Sequence, residues 1–276
     1  MITQKQRPRL AVFKLASCDG CQLSILSLEE DLLLLDQAVD IAYFPEASSR
    51  MEDGPYDITL VEGSISAPEH IEQIKNIRAQ SGLLVTIGAC ATAGGIQALR
   101  NGADVADYVA MVYAHPEYIQ TLKDSTPISE HVKVDFELWG CPIDKEQVRH
   151  FLSDVLAGVE PRFPEHSLCM ECKRQEHLCV LVAKGEPCLG PVTRTGCGAI
   201  CPAMGRGCYG CFGPAEVSFP AGREHANTDA LASRFSEALH LSNDEVLRRF
   251  KGINSHASAF KETAEKWQKM EENKHE

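Results

Sequence analysis

Eight of the chain's twelve cysteines fall in one short stretch, at Cys169, Cys172, Cys179, Cys188, Cys197, Cys201, Cys208 and Cys211. No other feature restricts the fold as strongly. The last four follow a C-x3-C-x6-C-x2-C spacing in "CGAICPAMGRGCYGC", and the whole stretch is rich in glycine and proline with little periodicity. Such a segment is expected to lack a large apolar core, and a fold with a small core needs staples, which metal centres can supply. Eight is two sets of four. The remaining Cys18, Cys21, Cys90 and Cys141 make a third set and leave no cysteine over.

The chemistry of the sulfurs depends first on the compartment. Disulfide frameworks belong to small secreted domains in oxidising surroundings. Here the N-terminal residues are polar, without the apolar stretch of a signal peptide, and no apolar run approaches a membrane span. The expected location is the cytosol, where thiols stay reduced. A structural zinc would satisfy four cysteines by count, but such sites usually draw on two closely spaced pairs. One pair and two distant singles favour an iron–sulfur cluster, while two zinc ions remain open for the eight C-terminal cysteines. Cys-Pro at 141–142 and 201–202 matches the ending of bacterial ferredoxin ligand runs. "SCDGC" also suits a thioredoxin-like redox pair, a reading that leaves Cys90 and Cys141 without a role.

Charge narrows the partners. A formal net charge of -12 excludes non-specific nucleic-acid binding, which needs a basic face. The stretch from Cys169 to Cys211 runs the other way, with five Lys/Arg against three Glu. A locally cationic segment in an acidic chain suits an anionic, thiolate-ligated group.

Residues 10–160 alternate strand and helix patterns. "LAVFKL" (10–15), "DIAYF" (40–44), "DITLVE" (57–62), "LLVTI" (83–87) and "VDFELW" (134–139) read as short buried strands. Helices are expected over 22–35, over 68–79 with Ile71, Ile74 and Ile77 on one face, and over 147–157. The fold class is therefore α/β, a mostly parallel sheet covered on both faces. Cys18 and Cys21 follow the first strand, Cys90 the fourth and Cys141 the last, with Gly20, Gly88 and Gly140 beside them. Strand-to-helix loops of an open parallel sheet share one edge, where such folds bind ligands. The pattern breaks around Pro161 to Pro164, which divides the chain into 1–160 and 161–276. From Ala221 onward the chain reads as polar and helical, with a capping signal in "SNDEVLRRF". Phe260 to Glu276 reads as a solvated helix or frayed tail.

"SCDGCQLS", "IGACATAGG", "WGCP" and the run from Cys169 to Gly213 resemble the small, electron-transferring subunit of nickel–iron hydrogenases over nearly the whole chain. Within that family the run from Cys169 resembles the delta subunits of cytosolic, NAD(P)-linked sulfhydrogenases. The resemblance implies a flavodoxin-like domain followed by an irregular iron–sulfur domain with C-terminal helices, and three 4Fe-4S clusters. Cys18, Cys21, Cys90 and Cys141 would hold the proximal one. Cys197, Cys208 and Cys211 match medial ligands, with Cys201 supplying a fourth where respiratory relatives have proline and a three-iron cluster. Cys169, Cys172, Cys179 and Cys188 would hold the distal cluster. His166 is a decoy with the H-x-x-C spacing that respiratory relatives use there. Leu23 stands where those relatives carry Glu, and Gly20 where oxygen-tolerant ones carry an extra cysteine. Glu62, at a strand end, is read either as lying near a subunit interface or as a capping or solvated residue.

Every cysteine is then assigned to a cluster, so the resemblance puts the hydrogen-splitting nickel–iron centre on a large-subunit partner, and flavin on NAD(P)-binding, iron–sulfur diaphorase partners. No residue of this chain is expected to be catalytic. The alternatives are a relay toward heterodisulfide reductase or a deazaflavin-reducing partner, the cluster subunit of a complex I-like assembly, and a zinc-stabilised interaction protein.

Overall fold

The computed structural model describes residues 7–164, 166–219 and 222–275. The N-terminal residues 1–6, most of the segment on which the signal-peptide reading rests, lie outside the described residues, as do Ala221 and Glu276. The chain divides into two compact units, residues 1–138 with 142–162, and residues 139–141 with 163–276.

In chain order the first unit carries β1 (Arg9–Lys14), α1 (Gly20–Leu26), α2 (Glu30–Ala38), β2 (Asp40–Tyr43), β3 (Tyr56–Glu62), α3 (Pro68–Gln80), β4 (Ser81–Ile87), α4 (Gly88–Ala93), α5 (Val105–Val112), β5 (Phe136–Leu138) and α6 (Lys145–Leu156). The five strands form one parallel sheet in the order β2-β1-β3-β4-β5. This is the doubly wound order with its switch point between β1 and β3. In the central strands Val12, Leu60, Val61, Leu84 and Val85 are fully buried, as expected of strands covered on both faces. On one face Ile74 and Ile77 of α3 pack with Val61, Leu84 and Ala91, with Ile71 partly buried beside them. Proline opens α3 as its pattern predicts, and His70 Nδ1 accepts from the backbone N–H groups of Ser66 and Ala67. Burial pushes the His70 pKa down, which suits that acceptor role.

The helix expected over 22–35 is two helices. The chain breaks at Ser27–Glu29, where Glu29 takes φ 54°. A single 3.6-residue helix cannot bury Leu28 and all of Leu32 to Leu35 on one side. After the break Leu28 and Leu35 are buried, and Leu33 and Leu34 are exposed.

The second unit carries α7 (Cys169–Arg174), α8 (Val180–Ala183), α9 (Ile200–Ala203), a hairpin of β6 (Glu216–Phe219) and β7 (Gly222–His225), then α10 (Thr228–Leu239), α11 (Asn243–Phe250) and α12 (Ser258–His275). Two expectations are corrected here. The cysteine-rich segment does share a substantial apolar core: Leu168, Val180, Leu189 and Val192 pack with Leu231, Phe235, Val246, Phe250, Phe260 and Trp267. The C-terminal stretch is not merely solvated, because Phe260, Thr263, Ala264 and Trp267 of α12 are buried. The core is made by elements distant in sequence, and the i, i+3, i+4, i+7 spacing of those four residues is the sign of a packed face. The Ser242–Glu245 capping box forms as its sequence predicts. No described helix is long and apolar enough to cross a membrane.

Candidate metal centres

β1 delivers the chain to Cys18 and Cys21 at the sheet edge, and α1 begins between them at Gly20. Glu62, the last residue of β3 and nearly fully buried, reaches across to this helix. Its carboxylate accepts from the backbone N–H of Cys21 at 3.2 Å, that of Gln22 at 3.3 Å, and Gln22 Nε2 at 3.1 Å. Helix N-termini leave such donors without intrahelical partners, and an acidic group from another element satisfies them here. Burial raises the Glu62 pKa above the usual carboxylate range despite these bonds. Of the roles considered for Glu62, capping is the one this geometry displays.

Cys90 lies in α4, directly after β4. The glycine that its surroundings require is Gly95. A Cβ there would sit 2.6 Å from Cys90 Sγ and 2.7 Å from Cys90 Cα, and Gly95 has φ +61°. Gly20, by contrast, has room for a Cβ at ordinary contact distance from Cys18 Sγ, 3.4 Å. The loop after β5 enters the second unit as Trp139–Cys141. Within that unit the Arg194 guanidinium lies over the Trp139 ring at 5.2 Å and pairs with Glu216 at 2.9 Å.

The eight later cysteines gather closely. Burial pushes the Cys172 thiol up to about 11, and the neighbouring sulfurs of Cys169, Cys188, Cys179 and Cys197 add to it. Cys169 is raised by burial and then by Cys188. Both of those sulfurs lie within 4 Å of the point where a Gly190 Cβ would stand, at 3.9 and 3.3 Å. Cys188 Sγ accepts the backbone N–H of Cys208 at 3.2 Å, and Cys208 Sγ that of Gly210 at 3.3 Å. Cys197 is raised by burial, although the N–H groups of Ala199 and Ile200 aimed at it favour the thiolate. Cys211 is pushed up to about 12 by burial and then by Cys197, Cys141 and Cys201. Cys211 is thus a neighbour of both the C-terminal sulfurs and Cys141. Cys18 and Cys179 are the two exposed cysteines.

The donors fit iron–sulfur clusters. None of the twelve cysteines is bridged in a disulfide. A buried thiol does not ionise without a compensating cation, and a bound metal supplies one. Backbone N–H groups directed at sulfur are the bonds that tune cluster potentials. Among the described residues, no three or more His, Cys, Asp or Glu side chains are gathered tightly enough for a single metal ion. Tetrahedral zinc would require sulfurs about 3.8 Å apart. A multi-iron cluster, with each thiolate on its own iron, accepts a wider ring.

Residue type alone did not disclose Glu171. Its carboxylate accepts from Gly196 at 3.0 Å and Ala199 at 3.1 Å, tying α7 to the loop that carries Cys197. Its place inside "CMEC" was the available signal. The histidines hold ordinary bonds: His131 with Thr126, His115 with Glu117, His177 with Gln175, and His166 with the Ser167 carbonyl.

Residues 18–155 match the family described as NADH ubiquinone oxidoreductase, 20 Kd subunit. The chain is 40% identical over 206 residues to the delta subunit of sulfhydrogenase 2 of Pyrococcus furiosus, covering 75% of this chain and 86% of the relative. It is 31% identical to a vhu subunit of the F420-non-reducing hydrogenase of Methanocaldococcus jannaschii, over 88% of this chain and 94% of the relative. Among solved structures it resembles a chain of an NAD+-reducing [NiFe]-hydrogenase in the H2-reduced state. That likeness has a TM-score of 0.54 and 34% identity, covering 58% of this chain and 96% of the other.

Proposed function

The chain belongs to the small subunits of nickel–iron hydrogenases, and from that premise we propose that it relays electrons through three 4Fe-4S clusters between a hydrogen-splitting large subunit and NAD(P)-linked partners. It is an electron-transferring subunit of an oxidoreductase. When bound, such clusters take up and release single electrons at potentials set by hydrogen bonds, charge and burial. In this reading Cys18, Cys21, Cys90 and Cys141 hold the proximal cluster, Cys197, Cys201, Cys208 and Cys211 the medial one, and Cys169, Cys172, Cys179 and Cys188 the distal one. The complex works in the cytoplasm.

The observation that carries the order is the neighbourhood of Cys211. Its thiol feels the sulfurs of Cys197, Cys141 and Cys201. A medial ligand thus adjoins a proximal one, and Cys188 in turn adjoins Cys208. The exposure of Cys179 favours the distal set as the exit. Glu62 and Glu171 position the ligand loops, and the N–H groups of Ala199, Ile200 and Gly210 directed at sulfur offset its negative charge.

A second reading of the partner has its own support. The Methanocaldococcus jannaschii relative matches nearly end to end, and its hydrogenase is not named for NAD(P) reduction. Passage to heterodisulfide reductase is therefore the alternative to flavin-bearing diaphorase subunits; F420 is a deazaflavin, so a relative named F420-non-reducing lends nothing to a deazaflavin-reducing partner. Two variants in the intact complex test the proposed order. Cys141→Ser should abolish hydrogen-driven reduction of every acceptor. Cys179→Ser should impair NAD(P) reduction while small dyes still draw electrons from the inner clusters. Equal loss with both acceptors in an assembled Cys179→Ser complex would contradict the order, and purification with heterodisulfide reductase subunits would select the second reading.

A further inference from the structure

Three ligand loops of the second unit meet at one aromatic ring. Trp139, one of two tryptophans in the chain, stands two residues before Cys141, and Gly213 stands two residues after Cys211. A Cβ at Gly213 would lie 2.3 Å from Trp139 Cε3 and 2.6 Å from Cζ3, so the indole rests against the Gly213 backbone. The φ of +72° at Gly213 calls for glycine as well. Two residues along in each segment, the Cys141 N–H is directed at the Cys211 sulfur. The segments thus pass one another in opposite directions, Trp139 beside Gly213 and Cys141 beside Cys211.

The third loop closes on the same ring. Arg194, three residues before Cys197, places its guanidinium 5.2 Å from the Trp139 ring centroid. Its backbone N–H donates to the Gly213 carbonyl at 3.0 Å, its Nε to the Pro214 carbonyl at 3.4 Å, and its guanidinium pairs with Glu216 at 2.9 Å. The Arg194 and Glu216 side chains are only 17% and 19% exposed. A largely desolvated guanidinium over an indole is the stronger form of this contact, and the planar head of arginine suits it. Glu216 cancels the cation, so the arrangement supplies position rather than net charge.

We propose that Trp139, gripped by Gly213 and Arg194, is the positioning residue that keeps the Cys141 N–H on the Cys211 sulfur, and that this bond bridges the proximal and medial ligand sets. The inference rests on the electron-relay reading and deepens it by naming what holds those two sets in register. When both clusters are bound, one electron leaves the first as it enters the second, with hydrogen on the large subunit as the reductant; no covalent bond or proton changes place. Covalent and hydrogen bonds carry an electron further than a gap of the same length, and the route from Cys141 to Cys211 needs only one hydrogen bond. An N–H donated to sulfur also favours the more negative, reduced state, so the same bond raises the medial potential.

The test is an anaerobic redox titration of the intact complex followed by electron paramagnetic resonance, which reads potentials and the magnetic interaction between reduced clusters rather than turnover. Trp139→Ala should keep its iron, shift the one-electron equilibrium of the medial couple about tenfold toward oxidation, a fall of about 59 mV, and weaken the splitting between proximal and medial signals. Trp139→Phe keeps a ring for Arg194 and Gly213 and should stay close to the parent. The double variant Arg194→Met, Glu216→Gln removes both charges together and frees the indole, and it should shift the potential in the same direction as Trp139→Ala. Should Trp139→Ala lose its iron, the double variant decides. Parental potential and splitting at full iron content in Trp139→Ala or in the double variant would overturn the clamp and leave the relay intact. An equal shift in Trp139→Phe and Trp139→Ala would also overturn it, since the ring would then not be what positions the bond. Absence of iron from the parent protein would remove the relay itself.

Discussion

A Gly207→Ala variant is expected to fail to close its second unit and to lose most of the iron bound there. An alanine Cβ would stand 2.1 Å from the Pro187 carbonyl oxygen, 3.0 Å from Pro187 C and 3.3 Å from Cys188 Cα. All three are backbone atoms, and the proline ring fixes φ at the residue that would have to move. The same contact aligns two ligand loops: Leu189 N–H donates to the Cys208 carbonyl at 3.0 Å, and Cys208 N–H donates to Cys188 Sγ at 3.2 Å. Separating the strands of this crossing breaks both bonds in a buried site. Overpacking against immobile backbone together with two lost buried bonds costs roughly 4 kcal/mol or more. Gly102→Ala is the control, since a Cβ there meets nothing and only the positive φ of 86° is strained, a cost of about 1 kcal/mol. Thermal unfolding and iron content of both variants check the prediction. Parental melting and full iron in Gly207→Ala would contradict it.

Cys201→Pro should convert a four-iron medial cluster into a three-iron one. The Cys201 sulfur is felt by Cys197 and Cys211 of the set assigned to that cluster, and by Cys188 of the distal set. Proline is compatible with the backbone. Residue 201 lies in the first turn of α9, where helix N–H groups have no intrahelical acceptor. Its carbonyl, which accepts from Met204 at 3.1 Å and Arg206 at 3.0 Å, is retained. The effect should therefore be electronic. Losing one thiolate and one iron changes cluster type and charge, and both set the potential. The expected direction is a higher medial potential, with electrons trapped there and slower traffic to a low-potential acceptor. Electron paramagnetic resonance of the oxidised variant should show a three-iron signal absent from the parent. A folded variant without that signal would remove Cys201 from the ligand set.

The sheet was legible because its strands are short buried runs with no competing period. The placement of Cys18, Cys21 and Cys90 just past the ends of β1 and β4 followed from them. The break between α1 and α2 carries no glycine or proline, and only the impossibility of burying every leucine of Leu32 to Leu35 hinted at it. The apolar core of the second unit was hidden by distance along the chain, since Leu189 and Val192 pack with Phe235, Phe250 and Phe260 of three later helices. Trp139–Cys141 joining that unit had no sequence sign, because Arg194 and Trp139 meet only in the fold. Ligand candidates were readable because thiols are rare and their count closes in fours. The carboxylates that hold the ligand loops, Glu62 and Glu171, look in sequence like any others, and their roles come from burial and from the N–H groups they face.

Metal and sulfide analysis of the anaerobically purified chain bears most directly on whether these sulfurs hold iron. Three four-iron clusters predict about twelve iron and about twelve acid-labile sulfide per chain, with the brown colour of iron–sulfur protein. Stoichiometric zinc in a colourless protein with little iron or sulfide would contradict the account.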